Sequence, residues 1–147
     1  MINHFNEKSL HAVDSKGRLL LPKELREAFK IKKGDVLYLV PNLSDPPYLE
    51  IRTAPQWKEY RQSLRSGASG EHKKDTYRYA MMIKDTAVVD GQGRFMIPGR
   101  IRETCRLEGD VAVVDMDIYI EVWRKSHVEK KYQDMVRAFK ETNDRLF

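Results

Sequence analysis

Asp14-Ser15-Lys16-Gly17-Arg18-Leu19-Leu20-Leu21-Pro22-Lys23-Glu24-Leu25-Arg26-Glu27 returns later in the chain as Asp90-Gly91-Gln92-Gly93-Arg94-Phe95-Met96-Ile97-Pro98-Gly99-Arg100-Ile101-Arg102-Glu103. Asp, Gly, Arg, Pro, Arg and Glu recur at identical spacing, with apolar side chains at the same places between them. The likeness continues after a one-residue slip, Gly34-Asp35-Val36 against Gly109-Asp110-Val111, then Tyr48-Leu49-Glu50-Ile51 against Tyr119-Ile120-Glu121-Val122. The chain therefore carries two copies of one supersecondary unit.

Each copy reads as strand, tight turn, strand, short helix, strand, strand. Leu10–Val13 and Ala87–Val89 are short extended apolar runs. In the Asp-x-x-Gly that follows, Asp14 and Asp90 can accept hydrogen bonds from backbone amides just ahead. Gly17 and Gly93 supply the positive φ that a bulged hairpin needs. Arg18–Leu21 and Arg94–Ile97 return as strands, and Pro22 and Pro98 suit the first turn of a helix. Leu25, Ala28 and Phe29, like Ile101, Thr104 and Cys105, fall at helical spacing and are expected to bury one face of each short helix. Asp45-Pro46-Pro47 breaks the next pair of strands.

Between and after the copies the pattern is helical. Thr53 can cap a helix with Pro55 in its first turn and Trp57, Tyr60, Arg61 and Leu64 on one stripe. Ser66-Gly67-Ala68-Ser69-Gly70 is a flexible break. Tyr77 to Ile83 reads as a short helix leading into the second copy. Val128, Tyr132, Met135, Val136 and Phe139 form the apolar stripe of a C-terminal helix. The expected organisation is a first repeat with its following helix at 1–65, a linker at 66–75, and a second repeat with its helix at 76–147. About 45 residues of short strands make a marginal core. The two copies are therefore expected to interleave their hairpins in one pseudo-twofold β-rich body.

Of 147 residues 41% are apolar and 33% charged, which supports a folded core and excludes low-complexity and collagen-like chains. No run approaches the roughly 20 apolar residues of a membrane span, and no leader-like pattern opens the chain. A single cysteine, Cys105, points to a reducing cytoplasm. Lys plus Arg exceed Asp plus Glu by 27 to 22, giving +5. Seven of those bases lie within Lys16–Lys33, against Glu24 and Glu27. Such a cluster suits an anionic partner, although it is equally the wet face of a solvated helix.

The paired Asp-x-x-x-Arg signatures, each followed by Pro, together with Tyr119-Ile120-Glu121-Val122-Trp123, resemble the MraZ family over about residues 8–132. That resemblance implies an α+β, β-rich fold: two tandem AbrB-like swapped-hairpin units forming one pseudo-twofold barrel with peripheral helices. It also implies a bacterial transcriptional regulator that binds short direct repeats of double-stranded DNA in the promoter of the division and cell-wall gene cluster. The regulator is expected to repress, to assemble into a homo-oligomeric ring, and to reside in the cytoplasm with the nucleoid. The family's DNA-contacting position falls on Arg18 and Arg94, its neighbour on Lys16 and Gln92. Asp14, Gly17, Asp90 and Gly93 are left as the residues that shape the turns. The copies differ at Gln92 for Lys16 and at Gly99 for Lys23.

Taken alone, Arg18 could reach phosphate, read guanine O6 and N7, or pair with Asp14 over the sheet. Lys16 on the same tip suits a phosphate, and is otherwise a solvated loop lysine. Lys23, Arg26, Lys30, Lys32 and Lys33 are expected to add one or two contacts at most. His4, His11, His72 and His127 lack metal-ligand spacing, and Cys105 matches the helix position of Phe29, so neither metal nor cofactor is expected. Trp57, Tyr60, Trp123 and Tyr132 read as core or interface residues. With no convergent acid, base or nucleophile and no small-molecule substrate indicated, an enzyme is not expected. The rival reading is an AbrB-fold protein-interaction or antitoxin-like module without sequence-specific DNA binding.

Overall fold

The computed structural model describes residues 10–66 and 70–142. His4 with the opening segment, and residues 67–69 of the expected flexible break, lie outside the described residues. The first copy folds as β1 (Leu10–Val13), β2 (Arg18–Leu20), α1 (Lys23–Ala28), β3 (Val36–Asn42) and β4 (Tyr48–Arg52). Two helices follow, α2 (Ala54–Ser66) and α3 (Glu71–Ile83). The second copy repeats the order as β5 (Asp85–Val88), β6 (Arg94–Met96), α4 (Gly99–Cys105), β7 (Gly109–Asp115) and β8 (Ile120–Arg124), before α5 (Lys125–Thr142).

Strands this short cannot hold a sheet by local pairing alone. They are instead joined in one antiparallel eight-stranded sheet of order β5-β3-β4-β8-β7-β1-β2-β6. The tight turn between β5 and β6, where the Asp90 amide donates to the Arg94 carbonyl at 2.8 Å, brings the two ends together into a nearly closed barrel. The copies are exchanged within it. β1 of the first pairs with β7 of the second, and β5 of the second pairs with β3 of the first. Two seams lie on the pseudo-twofold axis at opposite sides of the barrel, β2 against β6 and β4 against β8.

At the centre of the first seam Leu19 stands opposite Phe95, both buried. Strand alternation sends these two inward, where they join Leu21, Leu37, Ile51 and Ile97 in the main core. At the second seam Glu50 stands directly opposite Glu121, and both are buried. Facing carboxylates destabilise a ladder unless donors satisfy them. Glu50 accepts from Arg52 Nη1 at 2.9 Å, Asn42 Nδ2 at 3.0 Å and the Tyr48 hydroxyl at 3.3 Å. Glu121 accepts from the Tyr119 hydroxyl at 2.7 Å and Trp123 Nε1 at 2.9 Å. The Arg52 guanidinium also lies 3.6 Å over the Tyr60 ring.

Several local expectations change. Leu37 faces Ala87 just as Val111 faces His11, so β3 and β7 align after a two-residue slip, not one. The cause is the turn: Lys32-Lys33-Gly34-Asp35-Val36 separates Ile31 from Leu37, whereas only Glu108-Gly109-Asp110 separates Leu107 from Val111. Ala28 and Thr104 are exposed, because helices of six and seven residues bury a single turn through Leu25, or Ile101 and Cys105. Pro22 and Pro98 sit one place earlier than expected, as N-caps at φ −55° and −54°. Helix α3 starts at Glu71, inside the stretch read as linker.

The outer helices cover the barrel's flanks. Thr53 and Gln56 cap α2 reciprocally: the Gln56 amide donates to Thr53 Oγ1 at 3.4 Å and the Thr53 amide to Gln56 Oε1 at 3.0 Å. Trp57 and Ala80 bring α2 and α3 onto Val40. Val128 docks α5 on Ala112 and Trp123, while Met135 and Phe139 further along its stripe stay exposed. No described helix is long and apolar enough to cross a membrane. Truncating Phe95 opens a cavity in the seam both copies share. Phe95→Ala is therefore expected to lower unfolding stability by about 3–5 kcal/mol in urea titration, with one cooperative transition retained.

Candidate nucleic-acid interface

The two hairpin turns on either side of the β2–β6 seam are built alike from one carboxylate each. Asp14 Oδ1 accepts from the amides of Lys16 and Arg18, both at 2.9 Å, and its Oδ2 accepts from Arg18 Nε at 2.8 Å. Asp90 does the same with Gln92, Arg94 and Arg94 Nε, all at 2.9 Å. The amide bonds from Arg18 and Arg94, more than any other interaction, hold both carboxyls below the usual value of 3.8. Each Asp thus closes its turn and grips the guanidinium by one edge. Among the described residues nothing bonds the Nη groups, and the Arg18 and Arg94 side chains are 30% and 29% exposed.

The turn glycines explain how the tips are placed. Gly17 and Gly93 have φ of +83° and +84°. A Cβ at Gly17 would lie 2.6 Å from the Arg102 guanidinium, and one at Gly93 would lie 2.6 Å from that of Arg26. Each of these arginines reaches across to the other copy's turn while its Nε donates to a carbonyl of its own, Arg26 to Leu21 and Arg102 to Ile97, both at 2.9 Å. The strands bond reciprocally as well: the Leu21 amide donates to the Gly93 carbonyl and the Ile97 amide to that of Gly17. Only a residue without a side chain lets the crossing guanidinium lie flat on the turn.

Alternation along β2 and β6 turns Arg18, Leu20, Arg94 and Met96 outward together. Arg18 is paired with Met96, and Leu20 with Arg94. Lys16 and Gln92 are exposed on the tips. Of the other bases in the Lys16–Lys33 cluster, Arg26 is taken up by the crossing contact. Lys33 comes to the second tip, its Cδ 3.7 Å from the place a Gly91 Cβ would take. Sequence spacing could not show this, because Lys33 belongs to the first copy and Gly91 to the second. A positive charge therefore stands beside the tip where Gln92 replaces lysine. Cys105 is buried and its thiol is pushed up to about 12 by that burial, which makes it a core residue.

The sequence profile of a family described as "MraZ protein, putative antitoxin-like" matches residues 4–78 and 82–147. The chain belongs to the MraZ family. Members with the name "Transcriptional regulator MraZ" include a protein of Moorella thermoacetica, 30% identical over 82% of this chain and 80% of its own length. Another, from Caldanaerobacter subterraneus subsp. tengcongensis, is 29% identical over 92% of each chain. A third, from Chromobacterium violaceum, is 30% identical over 86% of this chain and 84% of its own.

The Asp–Arg grip of this MraZ-family chain has a pH signature. Because both folded-state carboxyls are lowered, their contribution to turn stability is present above the ordinary aspartate value and fades as pH falls through the folded one. Carboxyl-carbon NMR titration is expected to place the midpoints of Asp14 and Asp90 below 3.8. Arg18→Ala is expected to raise the Asp14 midpoint and leave that of Asp90 in place.

Proposed function

We propose that this MraZ-family transcriptional regulator binds double-stranded DNA with the β2–β6 side of its barrel. The observation that carries the reading is the duplicated guanidinium, held at Nε by its aspartate with both Nη groups left over among the described residues. That is the bidentate donor needed for guanine O6 and N7. Arg18 and Arg94 read base edges, while Lys16 and Lys33 meet phosphates and set the register. β2 and β6, set within the eight-stranded barrel between the two hairpin tips, turn their outer face to the roughly 12 Å major groove. Asp14 and Asp90 act within the protein, fixing the arginines.

The target is the promoter of the division and cell-wall gene cluster, where the chain represses from tandem short repeats as a homo-oligomeric ring associated with the nucleoid. Exposed apolar side chains support assembly. Leu43 and Met82 lie on the α2–α3 side of the β4–β8 seam, and Met116, Met135 and Phe139 lie on the α5 side. That seam is opposite β2–β6, so subunits joined there leave the arginines free. One protomer makes few contacts, and a ring repeats them at fixed spacing, so tandem sites gain affinity through effective concentration.

Titration of labelled promoter duplex tests the reading. Arg18→Ala is expected to weaken specific binding by roughly ten- to a hundredfold per engaged site, with the oligomer's size unchanged by sedimentation. Lys16→Ala is expected to flatten the plot of log affinity against log salt by about one unit for each phosphate left without its lysine. Unchanged affinity in Arg18→Ala would overturn the assignment. Binding by the wild type without sequence preference would favour an antitoxin-like interaction module.

A further inference from the structure

Two large apolar side chains stand on the outer face of the β2–β6 ribbon, where a water-exposed surface gains nothing from them. Leu20 is 48% exposed and Met96 52%. They occupy equivalent positions in the two repeats, and each is placed directly across the ladder from a signature arginine, Leu20 from Arg94 and Met96 from Arg18. Facing residues on such a ladder have Cβ atoms about 4.5–5.5 Å apart. Each guanidinium therefore has an apolar neighbour at about the spacing of one to two base steps, and the quartet Arg18, Met96, Leu20, Arg94 forms one symmetric surface. None of the four contributes to the core, which lies on the opposite face through Leu19 and Phe95.

The surroundings select the occupant. Lys16 and Lys33 flank the quartet, and the aspartates at either end are already committed to the arginines. An apolar surface bordered by lysines and by guanidinium nitrogens that no other described residue bonds is complementary to a polyanion with apolar groups in its groove. In the major groove of a duplex the group of that kind is the C5 methyl of thymine. We propose that Leu20 and Met96 are specificity-determining residues that contact thymine methyls within one or two base pairs of the guanines read by Arg94 and Arg18. The proposal rests on the DNA-binding reading above. It adds that half of the recognition surface reads methyl groups rather than hydrogen-bonding edges. Removing that apolar contact leaves phosphate and guanine contacts in place, so discrimination is lost before binding is.

The test replaces thymine by deoxyuridine, which deletes the methyl and keeps the base pair. Duplexes enriched by the wild-type protein from a random library are resynthesised with deoxyuridine at each thymine in turn. Wild-type affinity is expected to fall roughly fourfold for each contacted methyl removed. Leu20→Ala and Met96→Ala are expected to bind the thymine duplex as the wild type binds its deoxyuridine counterpart, and each to lose sensitivity at its own thymine. Both side chains are exposed, and thermal melts of the two variants are expected to match the wild type. Equal wild-type affinity for thymine and deoxyuridine duplexes would overturn the proposal, as would full discrimination in both variants. A change in oligomer size with discrimination intact would also overturn it, by making the pair a subunit contact. If methyl sensitivity is absent while Arg18→Ala still loses binding, the DNA reading stands and only the methyl contact fails. If the library yields no enriched duplex, both fail together.

Discussion

Everything in this chain depends on the exchange of strands and arginines across the pseudo-twofold axis. Neither copy can complete its own sheet: β1 finds its partner in β7, and β5 in β3. Each turn is closed by its own aspartate but covered by an arginine of the other copy, Gly17 lying under Arg102 and Gly93 under Arg26. The positive φ of those glycines and the missing Cβ are two requirements met by one residue type. Folding and placement of the hairpin tips are thereby one event, so a tip cannot shift without disturbing the opposite repeat.

The same economy shapes the outer face. An exposed arginine on a loop loses considerable side-chain entropy when it docks. Here part of that ordering is done in advance by an aspartate that also closes the turn, as its hydrogen bonds to two amides and one Nε record. The carboxylate uses the Nε edge and leaves the Nη edge. Pairing within the protein and contact with DNA, alternatives for a lone arginine, are compatible once the two edges are counted separately. At the opposite seam the charges are also on the outer face, since Leu49, Ile51, Ile120 and Val122 take the inward positions, but there Glu50 and Glu121 are buried and held by tyrosine, tryptophan, asparagine and arginine donors.

Much of the fold was legible because it is local and written twice. Asp-x-x-Gly-Arg marks its turn by side-chain chemistry, and Pro22 and Pro98 mark helix starts. What could not be read was whatever depends on the other copy. Lys33 beside Gly91, Arg26 over Gly93 and Glu50 facing Glu121 are contacts between distant segments. The one-residue slip at Gly34 and Gly109 failed for a related reason. Two Gly-Asp-Val triplets look equivalent in sequence, yet strand pairing sets the register and shortens the second turn by two residues. Leu20 and Met96 looked like ordinary strand residues until the ladder showed them outward together.

If the β2–β6 face meets the duplex, methionine oxidation reports on it directly. Met96 lies on that face at 52% exposure, while Met82 on α3, at 81% exposure, lies away from it. Brief hydroxyl-radical exposure of the protein, with and without promoter duplex, read by mass spectrometry, is expected to show Met96 protected by DNA and Met82 oxidised at an unchanged rate. Protection of Met82 with Met96 still fully reactive would contradict a DNA-facing β2–β6 ribbon.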